Sequence, residues 1–239
     1  MKRIFSVLAL LLVGLMLVPV SSALASAPPV GRALLVLDAS PFSTYGATAD
    51  QMALTANGVS FDVVTSTQLV SNVNMIFSYH LIIFAGDQPQ SYYNTLATSG
   101  WLRLYLLKFV EGGGNLVIHG VDEGYNGGFW TSPVFFPLMF NVGEVFSYDP
   151  TNYVVGSNPV LTGVSSPISG NYASHDYFTS VPSNALVLIT NSAGFPTYFV
   201  WTLAFGKVYA STMPLEYYYE TGGGVEATLL SNEIYYASH

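Results

Sequence analysis

Two histidines and three carboxylates are the residues of this sequence best suited to chemistry. His119, Asp122 and Glu123 follow one apolar segment, and His175-Asp176 lies in the second half of the chain. Imidazoles and carboxylates together can bind a metal ion, or they can act as an acid and a base. They can equally cap helices and tie loops by hydrogen bonds. The spacing lacks the His-Glu-x-x-His pattern of zinc hydrolases, so the three possibilities stay open and no metal is assigned.

If the chain is an enzyme, we predict that His119, Glu123 and His175 act on a water molecule or around a metal ion. Ligands of open α/β sheets bind beyond the carboxyl ends of the strands, and other polar residues follow apolar segments there. The residues predicted to bind a ligand at this edge are Asp38, Ser40, Asp87, Gln88, Asp122 and Asp176. No cofactor is predicted.

Several reactions are excluded by residues that the sequence lacks. It has no cysteine, which removes thiol nucleophiles and thiolate metal sites. No Gly-x-Ser-x-Gly pentapeptide supports a serine nucleophile. The glycine run 112–114 precedes a predicted strand, so it indicates a helix end and a turn instead of a phosphate-binding loop. The tyrosines at 217–219 and 92–93 could stack on sugar rings, or they could pack at a surface with little charge.

The elements that must position these residues alternate between strands and helices in the first half of the chain. Strands buried on both faces of a parallel sheet are nearly continuous in apolar residues. Such runs predict strands at 33–38, 59–64, 81–85 and 115–119. Helical spacing with end signals predicts helices at 48–56 and 101–110. This alternation predicts a parallel sheet with right-handed crossovers.

The second half is less regular, and His175-Asp176 is predicted to lie in one of its loops. A short buried helix is predicted at 134–140, and a strand or a hairpin turning at Asp149-Pro150 is predicted at 144–155. The remaining predicted elements are strands at 185–190, 198–203 and 207–212 and a closing amphipathic helix at 225–237. No repeat or long linker divides residues 28–239, so they are predicted to form a single domain.

The amino terminus predicts export. Lys2 and Arg3 precede an apolar run that ends at Val18, and Ala25 and Ala27 form an Ala-x-Ala sequence. Residues 1–27 are therefore predicted to be a cleavable signal peptide. A retained membrane anchor is the alternative, because the run is only slightly shorter than a bilayer span. Either way, we expect a secreted or cell-surface protein.

Charge in this sequence is sparse and negative. Only 8% of the residues are charged, whereas globular domains average about 25%. Cleavage after residue 27 leaves four basic residues against 14 acidic ones. A negative field without a basic cluster excludes nucleic acid as a partner, and the exposed surface is expected to be rich in uncharged polar residues and tyrosine.

The segment Gly112–Gly120 resembles the class I glutamine amidotransferase-like superfamily, in particular its ThuA-like and related non-amidotransferase branch, where a glycine turn precedes a strand ending in Ile-His. The segments at 158–164, 175–177 and 206–209 are similar to later motifs of that branch. The resemblance implies a flavodoxin-like, doubly wound, mostly parallel sheet. It does not imply glutamine hydrolysis, because the family's cysteine follows the fourth strand and this sequence has His119 and Gly120 there.

Two functions are therefore expected as alternatives. The first is an exported, non-catalytic amidotransferase-like domain for binding or assembly at the cell surface, with glycans or cell-envelope proteins as partners. The second is a carbohydrate-active or other hydrolase that uses the histidine and carboxylate site at the strand ends. The oligomeric state stays open.

Overall fold

Nine strands form one continuous sheet in the part of the chain that the structure describes. The computed structural model describes residues 31–42, 48–121, 124–130 and 144–239. The strands are β1 (Arg32–Val36), β2 (Ser60–Val64), β3 (Leu81–Phe84), β4 (Asn115–His119), β5 (Glu144–Val154), β6 (Ile168–Phe178), β7 (Leu186–Asn191), β8 (Pro196–Leu203) and β9 (Gly206–Ser211).

Six α-helices connect or follow these strands among the described residues. They are α1 (Ala49–Ala56), α2 (Ser66–Ser71), α3 (Gln90–Thr98), α4 (Gly100–Glu111), α5 (Leu215–Glu220) and α6 (Gly224–Ser238). Thr48 and Thr65 begin α1 and α2 with reciprocal capping boxes, in which each threonine hydroxyl accepts the N–H of a glutamine three residues later. Short 3₁₀ turns lie at Val73–Ser78 and Pro159–Leu161.

The sheet has a parallel half and an antiparallel half. Its strand order is β2-β1-β3-β4-β9-β8-β7-β5-β6. The first five strands of that order run parallel, and the remaining four pair antiparallel with their neighbours. The predicted doubly wound α/β fold with a flavodoxin-like parallel core is confirmed.

The core lies on both faces of the sheet because side chains alternate along each strand. In β1, Leu34 and Val36 pack on one face with residues of α2, α3 and α4. Ala33 and Leu35 pack on the opposite face with residues of α1 and α6. These side chains are fully buried, which explains why β1 is a continuous apolar run instead of an alternating one.

Most predicted elements match the structure to within two residues. The segment at 144–155 is one long strand, so the hairpin alternative is wrong. Asp149-Pro150 causes an irregularity in the pairing of β5 with β6 and not a chain reversal. A bulge of this kind absorbs an unpaired residue within a continuous strand.

The predicted loop at His175-Asp176 is also wrong, because both residues belong to β6. This strand contains Gly170, Asn171 and Ser174, and residues such as glycine and asparagine are depleted in strands. Its pairing with β5 over 11 residues overrides that weak local preference.

Three predictions fall outside the described residues. They concern the signal peptide at 1–27, the helix at 134–140, and the site residues Asp122 and Glu123. Within the described ranges, no helix combines the length and the apolar character that crossing a bilayer requires.

Candidate functional site

A pocket of about 640 Å³ opens beyond the carboxyl ends of the parallel strands. Phe42 reaches it from the segment after β1, Tyr125 from the segment after β4, and Tyr217 from α5 after β9. Tyr148 of β5 and Tyr172 of β6 close the other side. The pocket therefore lies where ligands of open α/β sheets bind.

Aromatic rings dominate the lining of this pocket. Among the residues that the structure describes, the pocket is lined by Phe42, Gly124, Tyr125, Tyr148, Gly170, Asn171, Tyr172, His175, Pro214, Tyr217, Tyr218, Thr221 and Gly223. Tyr125 is 70% exposed, and Tyr148 and Tyr172 are 46% and 48% exposed. The exposed surface of these tyrosines is available to a ligand, whereas the aromatic residues of the core have almost no exposed surface.

The rings support one another in edge-to-face pairs. Phe42 contacts the rings of Tyr125, His175 and Tyr217 at centroid distances of 5.8, 5.8 and 6.0 Å. On the opposite wall, His175 contacts Tyr148 at 5.0 Å. Such pairs are worth about 0.5–1.5 kcal/mol each beyond the area they bury. His175 thus links the two aromatic walls of the pocket.

Asp87 holds two of the pocket loops together. Its carboxylate accepts the backbone N–H groups of Phe42 at 2.7 Å and Asn126 at 2.8 Å. Phe42 and Asp87 have φ angles of 49° and 44°, and bulky residues rarely adopt this left-handed conformation. Because such backbone costs about 1–3 kcal/mol per residue, the Asp87 hydrogen bonds are needed to keep Phe42 in place.

The other predicted ligand-binding residues after β1 and β3 also tie loops. Gln88 accepts the N–H groups of Asp38 and Ala39 and donates to the Ala39 carbonyl. The Asp38 carboxylate accepts both the N–H and the hydroxyl of Ser66, which starts α2. The Ser40 carbonyl accepts a hydrogen bond from the Asn126 side chain.

Beneath the pocket lies a fully buried cluster of one histidine and three carboxylates, formed by Asp50, His119, Glu216 and Glu233. His119 Nδ1 lies 2.7 Å from Glu216 Oε1 and 3.6 Å from Asp50 Oδ1, and its Nε2 lies 2.9 Å from Glu233 Oε2. Glu233 also accepts the Tyr198 hydroxyl at 2.8 Å. We call these four residues the buried cluster.

Electrostatics in the buried cluster favour a protonated imidazole. Burial alone lowers the pKa of His119, but the charges of Glu216 and Asp50 outweigh it and hold that pKa well above its usual value. Burial raises the pKa of Glu216, but the His119 charge and hydrogen bond lower it below its usual value. Burial raises the pKa of Asp50 to about 7, although the His119 charge opposes the rise.

The short helix α5 belongs to both the buried cluster and the pocket. Glu216 faces His119 on one side of the helix, while Tyr217 and Tyr218 line the pocket on the other. Glu216 also accepts the Gly86 N–H at 2.9 Å. A six-residue helix is too short to be stable alone, so the pairing with His119 fixes where the pocket tyrosines lie.

The structure separates the residues that were expected to act together. His175 lines the pocket, whereas His119 belongs to the buried cluster. Asp176 is buried, and its backbone carbonyl accepts the Thr212 hydroxyl at 2.7 Å. Of the described histidines and polar residues predicted to act in the site, only His175 lines the pocket, whereas Tyr217 and Tyr218, considered for stacking on sugars, line it as well. Tyr92 and Tyr93 are buried in the core, so stacking of these two residues on a sugar is excluded.

The sequence prediction missed three members of the buried cluster, Asp50, Glu216 and Glu233. Each lies in a helix, where an isolated carboxylate predicts a solvated surface position. One sequence feature could have identified two of them, because Asp50 and Glu233 fall within amphipathic segments at positions that face the apolar side. It also missed Phe42, Tyr125, Tyr148 and Tyr172 as pocket residues.

Comparison with solved structures identifies the fold. A cytoplasmic protein of Salmonella typhimurium superposes with a TM-score of 0.58 at 15% identity, covering 86% of this chain and 98% of that protein. A candidate GMP synthase subunit from Thermoplasma acidophilum superposes with a TM-score of 0.53 at 12% identity, covering 84% and 92%. The fold is class I glutamine amidotransferase-like.

Sequence comparison finds a related protein but does not assign the chain to a family. An uncharacterized protein of Clostridium acetobutylicum is 33% identical over 180 residues, which are 75% of this chain and 18% of that protein. This chain therefore matches less than a fifth of the relative's length. No family model matches the chain.

The position of His119 in the fold can be compared with that of the catalytic cysteine in the amidotransferases. The catalytic cysteine of the amidotransferases follows the fourth strand, and β4 of this chain ends at His119. Here both ring nitrogens of that residue lie within hydrogen-bonding distance of buried carboxylates. The position is thus part of the core, and it carries no thiol.

Proposed function

We propose that this chain is an exported, non-catalytic amidotransferase-like domain that binds carbohydrate in its aromatic pocket. The observation that carries the proposal is the lining, in which Tyr125, Tyr148 and Tyr172 are exposed residues that line one cavity. Tyrosine combines an apolar ring with a polar hydroxyl. This combination suits a sugar ring, which has apolar C–H faces and a polar rim.

The size and charge of the pocket support a neutral glycan as the ligand. Small-molecule sites run from roughly 300 to 1,000 Å³, and this pocket lies within that range at about 640 Å³. Its described lining residues include no lysine, arginine, aspartate or glutamate. A phosphorylated or carboxylated ligand would find no opposite charge there, whereas hydroxyls can bond to Asn171 and Thr221.

The export and branch assignments complete the proposal. The amino-terminal sequence supports secretion or surface attachment, and the sparse charge agrees with an extracytoplasmic setting. The segment ending in Ile118-His119 supports the ThuA-like or a related non-amidotransferase branch of the fold. The relative is several times longer than this chain, so we propose that domains of this type also occur as modules that attach larger proteins to envelope glycans.

The test is a screen of the purified protein against an array of neutral and acidic glycans, followed by calorimetric titration of the strongest neutral binder. If a ring stacked on a sugar is worth as much as an aromatic pair, up to about 1.5 kcal/mol, its removal costs up to roughly tenfold in affinity. We therefore expect Tyr172→Ala to weaken binding by up to about tenfold. Absence of any binding by the unmodified protein would overturn the proposal.

A matched control separates loss of the pocket from loss of an exposed tyrosine. Tyr235 of α6 is 46% exposed, close to the value for Tyr172, and it does not line the pocket. Tyr235→Ala should therefore bind glycan as the unmodified protein does. Equal weakening by Tyr235→Ala and Tyr172→Ala would indicate non-specific adhesion.

The hydrolase alternative keeps one supporting observation, the presence of His175 in the pocket. An assay with chromogenic glycosides separates the two functions. The binding proposal expects no turnover from the unmodified protein. Turnover that His175→Ala abolishes while glycan binding persists would replace binding with catalysis.

A further inference from the structure

We propose that the buried cluster is a binding site for one divalent transition-metal ion, with Asp50, His119 and Glu216 as its ligands. These residues belong to α1, β4 and α5. One carboxylate oxygen from each acidic residue and one histidine nitrogen lie within 4.8 Å of one another. Atoms that share one zinc ion lie about 2.0–2.2 Å from it, and therefore about 3–4 Å apart. A small closure of the three groups brings them to that spacing.

The carboxylate of Asp50 provides separate evidence for a bound cation. Its side chain is fully buried, and within the described ranges neither of its oxygens has a hydrogen-bond partner. Glu216 Oε2 is in the same state. A buried carboxylate without hydrogen-bond donors is costly, and Asp50 lies 3.6 Å from His119 Nδ1. A cation between these groups would provide the missing partner.

The surroundings of His119 have the arrangement found around metal-binding histidines. Such histidines donate their second ring N–H to a carboxylate, which fixes the ring and its tautomer. His119 Nε2 lies 2.9 Å from Glu233 Oε2, and Glu233 is itself bonded by the Tyr198 hydroxyl. The ion would bind Nδ1, so the present contact of Nδ1 with Glu216 would become a shared contact with the ion.

The types of the ligand atoms limit which ion is expected. One imidazole with carboxylate oxygens suits zinc or manganese, while magnesium and calcium prefer oxygen ligands alone.

The site is closed, and this decides its role. All of its ligands are fully buried, and the second carboxylate oxygens of Asp50 and Glu216 can fill the fourth position, whereas a catalytic metal keeps that position open for water or substrate. The ion would join α1, β4 and α5 beneath the pocket. Its effect is therefore to stabilise the protein and hold α5, and the proposal does not depend on what the pocket binds.

The experiment measures metal content and thermal unfolding of the purified protein, before and after dialysis against EDTA. We expect one bound ion per chain after addition of Zn²⁺. At a Zn²⁺ concentration 100-fold above Kd, we expect the Tm to rise by about 5–10 °C. Mg²⁺ should leave the Tm unchanged. Absence of both stoichiometric binding and a Tm shift with Zn²⁺ and with Mn²⁺ would overturn the proposal.

Asp50→Asn and Glu226→Gln form the matched pair of variants. Glu226 is another buried carboxylate with an oxygen that lacks a described partner, but it lies outside the buried cluster. Asp50→Asn should fold without metal, because it removes a buried charge, and it should lose the response to Zn²⁺. Glu226→Gln should keep the response. A full response in Asp50→Asn would reject these ligands.

A measurement on the unmodified protein covers the case in which Asp50→Asn does not fold. Co²⁺ loaded into the EDTA-treated protein should give the visible absorption of a four- or five-coordinate site. Added Zn²⁺ should displace it at one equivalent. A spectrum identical to that of aqueous Co²⁺ would contradict the proposed ligands.

Discussion

Glu216 of α5 lies 2.7 Å from the Nδ1 atom of His119 at the end of β4, although the two residues are 97 positions apart in the chain. The next two residues of α5, Tyr217 and Tyr218, line the pocket. One buried contact therefore connects the end of the central strand to the wall of the candidate binding site. Its strength should determine both the stability of the fold and the order of the pocket.

Replacement of Glu216 should be strongly destabilising. Removing one partner of a buried ion pair costs about 3–5 kcal/mol, so Glu216→Ala should lower the free energy of unfolding by that amount. Glu216→Gln should cost less, because its amide oxygen still accepts the Gly86 N–H. Urea denaturation monitored by circular dichroism measures both changes. A loss below about 1 kcal/mol for Glu216→Ala would mean that α5 does not depend on this contact.

Loss of the Asp87 carboxylate should weaken glycan binding without removing a pocket residue. Asp87→Ala leaves the N–H groups of Phe42 and Asn126 without their acceptor. We expect faster hydrogen exchange at these two amides and at least a tenfold loss of affinity, measured by mass spectrometry and calorimetry. Asp62→Ala is the control, because Asp62 is an exposed carboxylate paired with Arg32. Unchanged hydrogen exchange at these two amides in Asp87→Ala would show that Asp87 does not hold the two loops together.

A side chain at Gly86 should disrupt the packing around the buried cluster. A Cβ atom there would overlap the Val121 side chain and lie 3.1 Å from Glu216 Oε1. Overpacking of this kind costs about 1–3 kcal/mol, so Gly86→Ala should lower the Tm. Gly100→Ala is the matched control, since a Cβ at Gly100 meets open space. Equal Tm values for the two variants would contradict the described packing.

Because Glu226 is buried, its ionisation should lower the stability of the protein as the pH rises. Burial raises the pKa of Glu226 above 4.5, against the lowering effect of its backbone hydrogen bond. A carboxyl group with a raised folded-state pKa stabilises the protein below its unfolded-state pKa, and that contribution is lost as pH rises through the folded-state pKa. Glu226→Gln should therefore match the unmodified protein near pH 4 and have the higher Tm near pH 8.

The control for this pH dependence is Glu111→Gln. Glu111 is an exposed carboxylate at the end of α4. Its substitution should change the Tm by a similar amount at both pH values. A Glu226→Gln profile parallel to that of Glu111→Gln would show that burial of Glu226 has no effect on stability.

Continuous runs of apolar residues were sufficient to predict the strands of the parallel half of the sheet. The runs that became β1, β3 and β4 are buried on both faces, so burial left a continuous apolar signature in each. The strand β6 was missed because it lies at the sheet edge. Its partner β5 and the backbone contact of His175 with Thr212 hold it in place, and neither contact leaves a periodic pattern in the sequence.

The sequence indicated the edge of the sheet at which the candidate site lies, but not most of the residues that line it. Polar residues follow the strands at the edge of the sheet where the pocket lies. Asp38, Asp87 and Gln88 bind backbone groups there, since strand ends leave N–H and carbonyl groups that must find partners. The pocket surface is instead provided by aromatic residues from five separate segments.

The sequence by itself determined that strands and helices alternate in the first half of the chain, and its lack of cysteine excluded a thiol nucleophile. Only the tertiary structure decided that His119 meets Glu216 and Glu233, which lie 97 and 114 residues away. The reason is physical. Periodicity records which face of an element is buried, but the partners on that face are chosen by the packing of distant elements across the sheet.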